Sequence, residues 1–198
     1  MAIAGKQAKR LTRAERTERN REHVLTAARE VFLARGYHGA TVEQIADAAG
    51  FSTGVVYSQF GGKADLFLAL LEARIEQRIR DNAAVVASID GREGLVRLLE
   101  HTAEVTFAEP EWGLLVLEFR VHAARDPELN ASYARAHART ISGLADVLAR
   151  SDATGGLAPE ELAEVIAAIS SGTQLELAAG RDAFTGPLLH KVIERLAT

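Results

Sequence analysis

The stretch "GFSTGVVYSQF", Gly50 to Phe60, admits two folds. Gly50, Ser52 and Gly54 fit G-x-S-x-G, the turn that exposes a nucleophilic serine between a strand and a helix. The same letters fit the turn of a helix-turn-helix, running into the short helix that enters the major groove of DNA. The flanking residues choose. Before Gly50, Val42, Ile45, Ala46 and Ala49 fall on one helical face, opened by Thr41 and Gln44 at capping-box spacing. A serine elbow needs a strand there, and no βαβ pattern stands anywhere in the chain. The nucleophile reading of Ser52 fails on that context.

The helix-turn-helix reading gives each residue a reason. Ala46 is small where two short helices cross, and Gly50 can take the left-handed conformation that ends the first of them. Val56 points back into a small core. Ser52 caps the second helix, Thr53 to Phe60, and leaves N–H groups and a hydroxyl for a phosphate.

Working outward, helical periodicity recurs throughout and strand alternation does not. Val24, Ala27, Ala28, Val31 and Phe32 form an apolar stripe that Gly36 stops. A long helix is predicted from Lys63 to about Ser88, then others near 91–108, 111–125, 127–151, 159–179 and 187–197. Asp126 and Pro127 mark one start, and "SDATGGLAP" is the clearest loop. The fold class is all-α.

Charge divides the chain in the same place. Net charge is −4, yet residues 1–80 hold 13 Lys/Arg against 9 Asp/Glu, and residues 81–198 hold 10 against 18. A basic end with an acidic body suggests that one end faces nucleic acid. Seven of the first 21 residues are basic (Lys6, Lys9, Arg10, Arg13, Arg16, Arg19, Arg21). The expected organisation is a basic, flexible arm over 1–20, a DNA-binding head over 21–62 and a body with a different task over 63–198. No apolar signal segment opens the chain, and Glu164 and Glu176 spoil the most apolar late segment as a membrane span. The absence of cysteine removes disulfides and thiolate metal sites, and fits a cytoplasmic protein.

Across about fifty residues, "VLTAAREVFLARGYHGATVEQIADAAGFSTGVVYSQFGGKADLFLALL" resembles the DNA-binding domain of the TetR family of ligand-responsive regulators. "EWGLLVLEFRVHAARDPEL" is similar to C-terminal domains of the same family. Position by position, the resemblance implies that Thr41 and Ser52 touch phosphate and that Thr53, Gly54, Tyr57 and Ser58 present the reading surface. It also implies that Lys63 grips the DNA backbone. Gln59 departs from the family's usual histidine or aromatic and reads adenine or bonds a phosphate. Gly61 and Gly62 replace the common Pro-Ser link. The resemblance further implies a three-helix reading head joined by a long fourth helix to a larger helical body, 63–198, whose task is ligand binding and dimerisation.

Within the body, Phe107, Trp112, Phe119, His122 and Tyr133 are candidate walls of a ligand pocket. The candidate dimer interface joins Leu162, Val165, Ile166 and Ile169 to Leu188, Leu189, Val192, Ile193 and Leu196. Ser170, Ser171, Gly172 and Thr173 would let a partner helix approach closely. Neither H-E-x-x-H nor paired Glu-x-x-His occurs, so no metal, cofactor or catalytic residue is expected. The reading is a homodimeric repressor, released from a near-palindromic double-stranded operator by a small-molecule effector. The rivals are a constitutive DNA-binder without effector and a helical-bundle enzyme.

Overall fold

Thr12 and Glu15 begin the fold. In the computed structural model, which describes residues 12–89, 91–150, 156–180 and 191, they form a capping box that opens helix α1 (Arg13–Gly39). Residues 13–20, expected in the arm, are therefore the first turns of α1. The Thr-x-x-Glu spacing was the local signal for that start. The rest of the expected arm, 1–11, lies outside the described residues.

Seven further helices follow: α2 (Val42–Ala49), α3 (Thr53–Phe60), α4 (Lys63–Val85), α5 (Gly91–Ala108), α6 (Pro110–Ala123), α7 (Pro127–Leu148) and α8 (Pro159–Ala178). The described residues contain helices and no strand. The expected last helix, 187–197, falls almost wholly outside them, and with it Leu188, Leu189, Val192, Ile193 and Leu196.

Gly50 sits at φ 73°, ψ 28°, the left-handed stop of α2. The N–H of Phe51 bonds back to the Ala46 carbonyl at 2.9 Å, so the turn closes on its own backbone. Val24, Phe32, Ile45, Ala46 and Val56 are fully buried between α1, α2 and α3, which fixes the head. Gly36 acts less as a stop than as a kink: at φ 68°, ψ 170° it breaks α1, which continues to Gly39.

Head and body share a core. Phe67 of α4 stacks on Phe119 of α6 at 4.3 Å between centroids, and Tyr37 of α1 meets both rings edge-on. A second cluster at the far end joins Val86, Leu95, Leu98, Leu148 and Ala163. Residues of α4 to α8 line a cavity that is partly open to solvent.

Candidate nucleic-acid interface and ligand cavity

The exposed face of α3 carries Ser52, Gly54, Tyr57 and Ser58, while Thr53 is half-buried. Val56 and Phe60 are buried on the opposite side, which sets the direction of the exposed face. Ser52 is the N-cap residue by position, but its hydroxyl makes no capping bond. Its Oγ and the first N–H groups of α3 are thus unspent, as a phosphate site requires. Tyr57 is 48% exposed, a large side chain with no core to fill. Thr41 makes the expected capping box with Gln44 and stays exposed at the start of α2.

Two residues sit differently from the expectation. The Lys63 ammonium turns inward and donates to the carbonyls of Tyr37 at 2.9 Å and Ala40 at 3.1 Å. It also lies 4.7 Å from the Tyr37 ring centre. The kinked end of α1 exposes carbonyls that attract a cation, so Lys63 caps α1 rather than reaching out for a phosphate. Burial lowers its pKa. Gln59 is half-buried, and its Oε1 is buried without a partner instead of facing outward as a base-reading acceptor. Arg21, assigned no role from sequence, stacks over the Phe60 ring at 4.5 Å and ties α1 to the end of α3.

The junction of head and body carries polar links as well as aromatic ones. The kink at Gly36 takes the Tyr37 N–H out of the helical ladder, and the Glu118 carboxylate on α6 accepts it at 2.8 Å. Glu109, at the start of α6, pairs with Arg74 of α4 at 2.7 Å and lies 3.7 Å from Arg29 of α1. One carboxylate therefore joins three helices. No local pattern announces these contacts, because Glu118 stands 81 residues from Tyr37.

The cavity has a volume of about 210 Å³. Leu71, Ile75 and Ile79 of α4 line it, with Val105 of α5 and Val116 of α6 opposite. Of the expected walls, Trp112 and Tyr133 are present. Phe107 is not, because Thr102, Val105 and Thr106 form the inward stripe of α5 and Phe107 is off it. Phe119 belongs to the aromatic stack in the core. His122 is exposed, packed against the rings of Tyr37 and His38 at the junction. Polar residues that the sequence reading missed enter the wall instead, among them Arg78, Asn82, His137 and Gln174.

α8 divides the expected interface. Ile166 is buried against the protein's own core, and Leu162 packs partly on it. Val165 and Ile169 are 47% and 40% exposed, and Leu175, absent from the expected set, is 54% exposed. Ser170 and Ser171 line the cavity and Thr173 is buried, so of the small residues only Gly172 is open to a neighbour. On the far wall, Arg97 meets Glu104 at 3.2 Å and Glu100 at 3.6 Å, so those carboxylates serve an ion-pair cluster.

Among the described residues no helix is long and apolar enough to cross a membrane. Residues 24–70 match the family model of bacterial regulatory proteins of the tetR family, and residues 91–198 match that of the BetI-type transcriptional repressor C-terminal region. The HTH-type transcriptional repressor AcnR of Corynebacterium efficiens is 34% identical over 117 residues, which is 58% of this chain and 56% of that protein. The chain thus spans little more than half the length of that relative. A TetR-family regulator from Rhodococcus sp. superposes with a TM-score of 0.73 at 25% identity, over 91% of this chain and 100% of that one. The regulator FadR from Bacillus subtilis, solved with stearoyl-CoA, superposes with a TM-score of 0.71 at 21% identity, covering 89% and 97%. The chain belongs to the TetR family of bacterial regulatory proteins, whose members here are transcriptional regulators and not enzymes.

Proposed function

We propose that the chain is a homodimeric repressor that leaves its operator when a small molecule enters the cavity between α4 and α8. The observation that carries this reading is shared membership. Arg74 and Glu109 line the cavity, and Glu109 also reaches Arg29 on α1 of the head. A ligand that draws on either residue changes the hold on α1, and a ligand works only through such a difference between conformers. α4 runs from the head along the cavity and, at 23 residues, is about 34 Å long, enough to turn a small tilt into a displacement of the head.

The reading surface is α3, with Ser52 and Thr41 on phosphates and Thr53, Gly54, Tyr57 and Ser58 toward the groove. Two copies, paired through the open face of α8 around Val165, Ile169, Gly172 and Leu175, would hold two such helices about 34–36 Å apart on a two-fold site. The Bacillus subtilis regulator of the same fold was solved with stearoyl-CoA, which supports a small-molecule effector here. Here the volume of about 210 Å³ lies below the roughly 300–1,000 Å³ of drug-sized sites, which favours a small effector.

The test begins with an operator selected from random duplexes by the full-length protein. A metabolite panel is then screened for release of that duplex. The released complex must obey reciprocity, with operator weakening the ligand by the factor by which ligand weakens operator. Val116→Phe, which fills the cavity, should bind operator and ignore the effector. A Val116→Phe protein that responds like wild type places the effector elsewhere.

A further inference from the structure

Arg74, Arg78 and Asn82 follow one another at four-residue spacing on the cavity face of α4. The charge of Arg74 is answered by Glu109 at 2.7 Å. That of Arg78 is not. Among the described residues no carboxylate lies within ion-pair distance of it; Glu109 and Asp81 act from further away, and Arg74 repels it. Burial, with that repulsion, brings its pKa down to about 10, which leaves the guanidinium charged at neutral pH. One turn on, Asn82 is 5% exposed and its Oδ1 has no hydrogen-bond partner. A largely buried cation without a close carboxylate and an amide whose oxygen lacks a partner line the same space.

Leaving such groups unpaired is costly, and a protein recovers that cost when a complementary ligand arrives. The charges in the wall define the complement. Arg74 and Arg78 against Glu109 leave an excess of one positive charge, and His137 is held toward its neutral form by burial. A monoanion balances the site, a dianion overshoots it, and a cation adds to a positive excess that Glu109, already shared by Arg74, does not cancel. The rest of the wall is uncharged: Thr102, Thr106, Thr140, Ser170, Ser171 and Gln174 supply polar groups, and Ile75, Val116 and Trp112 form an apolar side that packs on the core shared with the head. The volume of about 210 Å³, below that of drug-sized sites, suits an aryl or short-chain acid.

We propose that the cavity takes a small amphiphilic carboxylate, its head group on the Arg78 guanidinium and the Asn82 amide and its apolar body along Ile75, Val116 and Trp112. A planar guanidinium meets a carboxylate through two parallel N–H bonds, which gives orientation as well as affinity. Asn82 turns its NH₂ to the carboxylate or its oxygen to a hydroxyl on the acid. This assignment rests on the effector reading above and narrows it to one ligand class.

The experiment uses the full-length protein, isothermal titration and three matched sets of probes. These are benzoate, phenylacetate and hexanoate; their primary amides; and benzyltrimethylammonium. Each is also tested for operator release. The acids should bind wild type about 10–100-fold more tightly than the amides, the range of one charge-assisted pair, and the ammonium should not bind. Arg78→Met should erase the preference for acids. Without ligand it should melt no lower than wild type, because it replaces an unpaired buried cation by an apolar chain. Amides that bind as tightly as acids, or an Arg78→Met protein that still prefers acids, would overturn the proposal. So would a lower melting temperature for that variant, which would make Arg78 a structural group. If amides or the ammonium bind and release operator, the carboxylate class fails and the effector reading stands. If no class binds, both fall.

Discussion

Tyr57 and Lys63 both read as DNA contacts from their positions in the chain, and their surroundings separate them. Tyr57 lies half in solvent on α3, whereas the Lys63 ammonium holds the carbonyls of Tyr37 and Ala40. Tyr57→Ala should therefore cost about 2 kcal/mol or more of operator binding, as interface anchors do, and leave the melting temperature unchanged. Lys63→Met should do the reverse. It should lower stability by about 1–3 kcal/mol through the lost charged hydrogen bonds, and leave the salt slope of DNA binding as in wild type. Urea unfolding and a salt titration of each variant check the pair; a shallower salt slope for Lys63→Met would return that residue to the phosphate. The histidines give a pH effect. Burial first, and then nearby Arg78 and Arg97 for His101 or Arg120 for His137, lowers both pKa values against the weaker pull of Glu104, Asp81 and Glu164. The unfolded chain, titrating near the ordinary value of about 6.5, then binds protons that the folded chain refuses. Stability should hold above that value and fall as pH drops below it toward the lowered pKa values. The melting temperature between about pH 7 and pH 5.5 should show the loss, and a His101→Gln, His137→Gln double variant should flatten it.

At the scale of the element, the kink in α1 and the two faces of α8 matter most. Gly36 occupies a conformation open to glycine alone, and a Cβ there would stand 2.9 Å from the Glu118 carboxylate. Gly36→Ala should cost about 1–3 kcal/mol in unfolding free energy and disturb the seat of the head on α6. A neutral result would mean that the Tyr37–Glu118 bond is dispensable. α8 keeps Ile166 and Ala163 for its own core and turns Val165 and Ile169 outward. Val165→Asp with Ile169→Asp should thus leave helicity near wild type and convert dimers to monomers in sedimentation. If the double variant sediments as wild type does, the pairing surface lies elsewhere.

Over the whole molecule, one core runs from the head into the body through Phe67, Phe119 and Tyr37. The reading head is therefore not a bead on a string, and strain in the cavity wall has a packed route to α1. The basic excess over residues 1–80 is expected to set the salt dependence of DNA binding. Two heads neutralising on the order of 6–10 phosphates would lose about 10³–10⁵ in affinity between about 50 and 200 mM salt. A flat titration would remove the electrostatic half of the DNA-binding argument. Because both heads must sit on one site, the monomeric α8 variant should also lose the operator at concentrations where wild type is bound.

What the sequence determined by itself is what depends on neighbours in the chain. The turn at Gly50, the capping box of Thr41 and Gln44, and the starts of α5 and α7 are decided within four residues, by backbone freedom and local hydrogen bonds. The capping box at Thr12 was equally legible, and the basic composition around it masked the helix start. Only the tertiary structure decided which apolar or charged residue faces what. Phe119 and Trp112 lie seven residues apart on one helix, and one fills the core while the other lines the cavity, because that choice belongs to α4, α7 and α8 packed around them. Lys63 and Glu118 found partners 23 to 26 and 81 residues away, and Arg78 was left facing a cavity that exists only where five helices fail to meet. Periodicity reports that a side chain is on a face, and packing alone reports what that face touches.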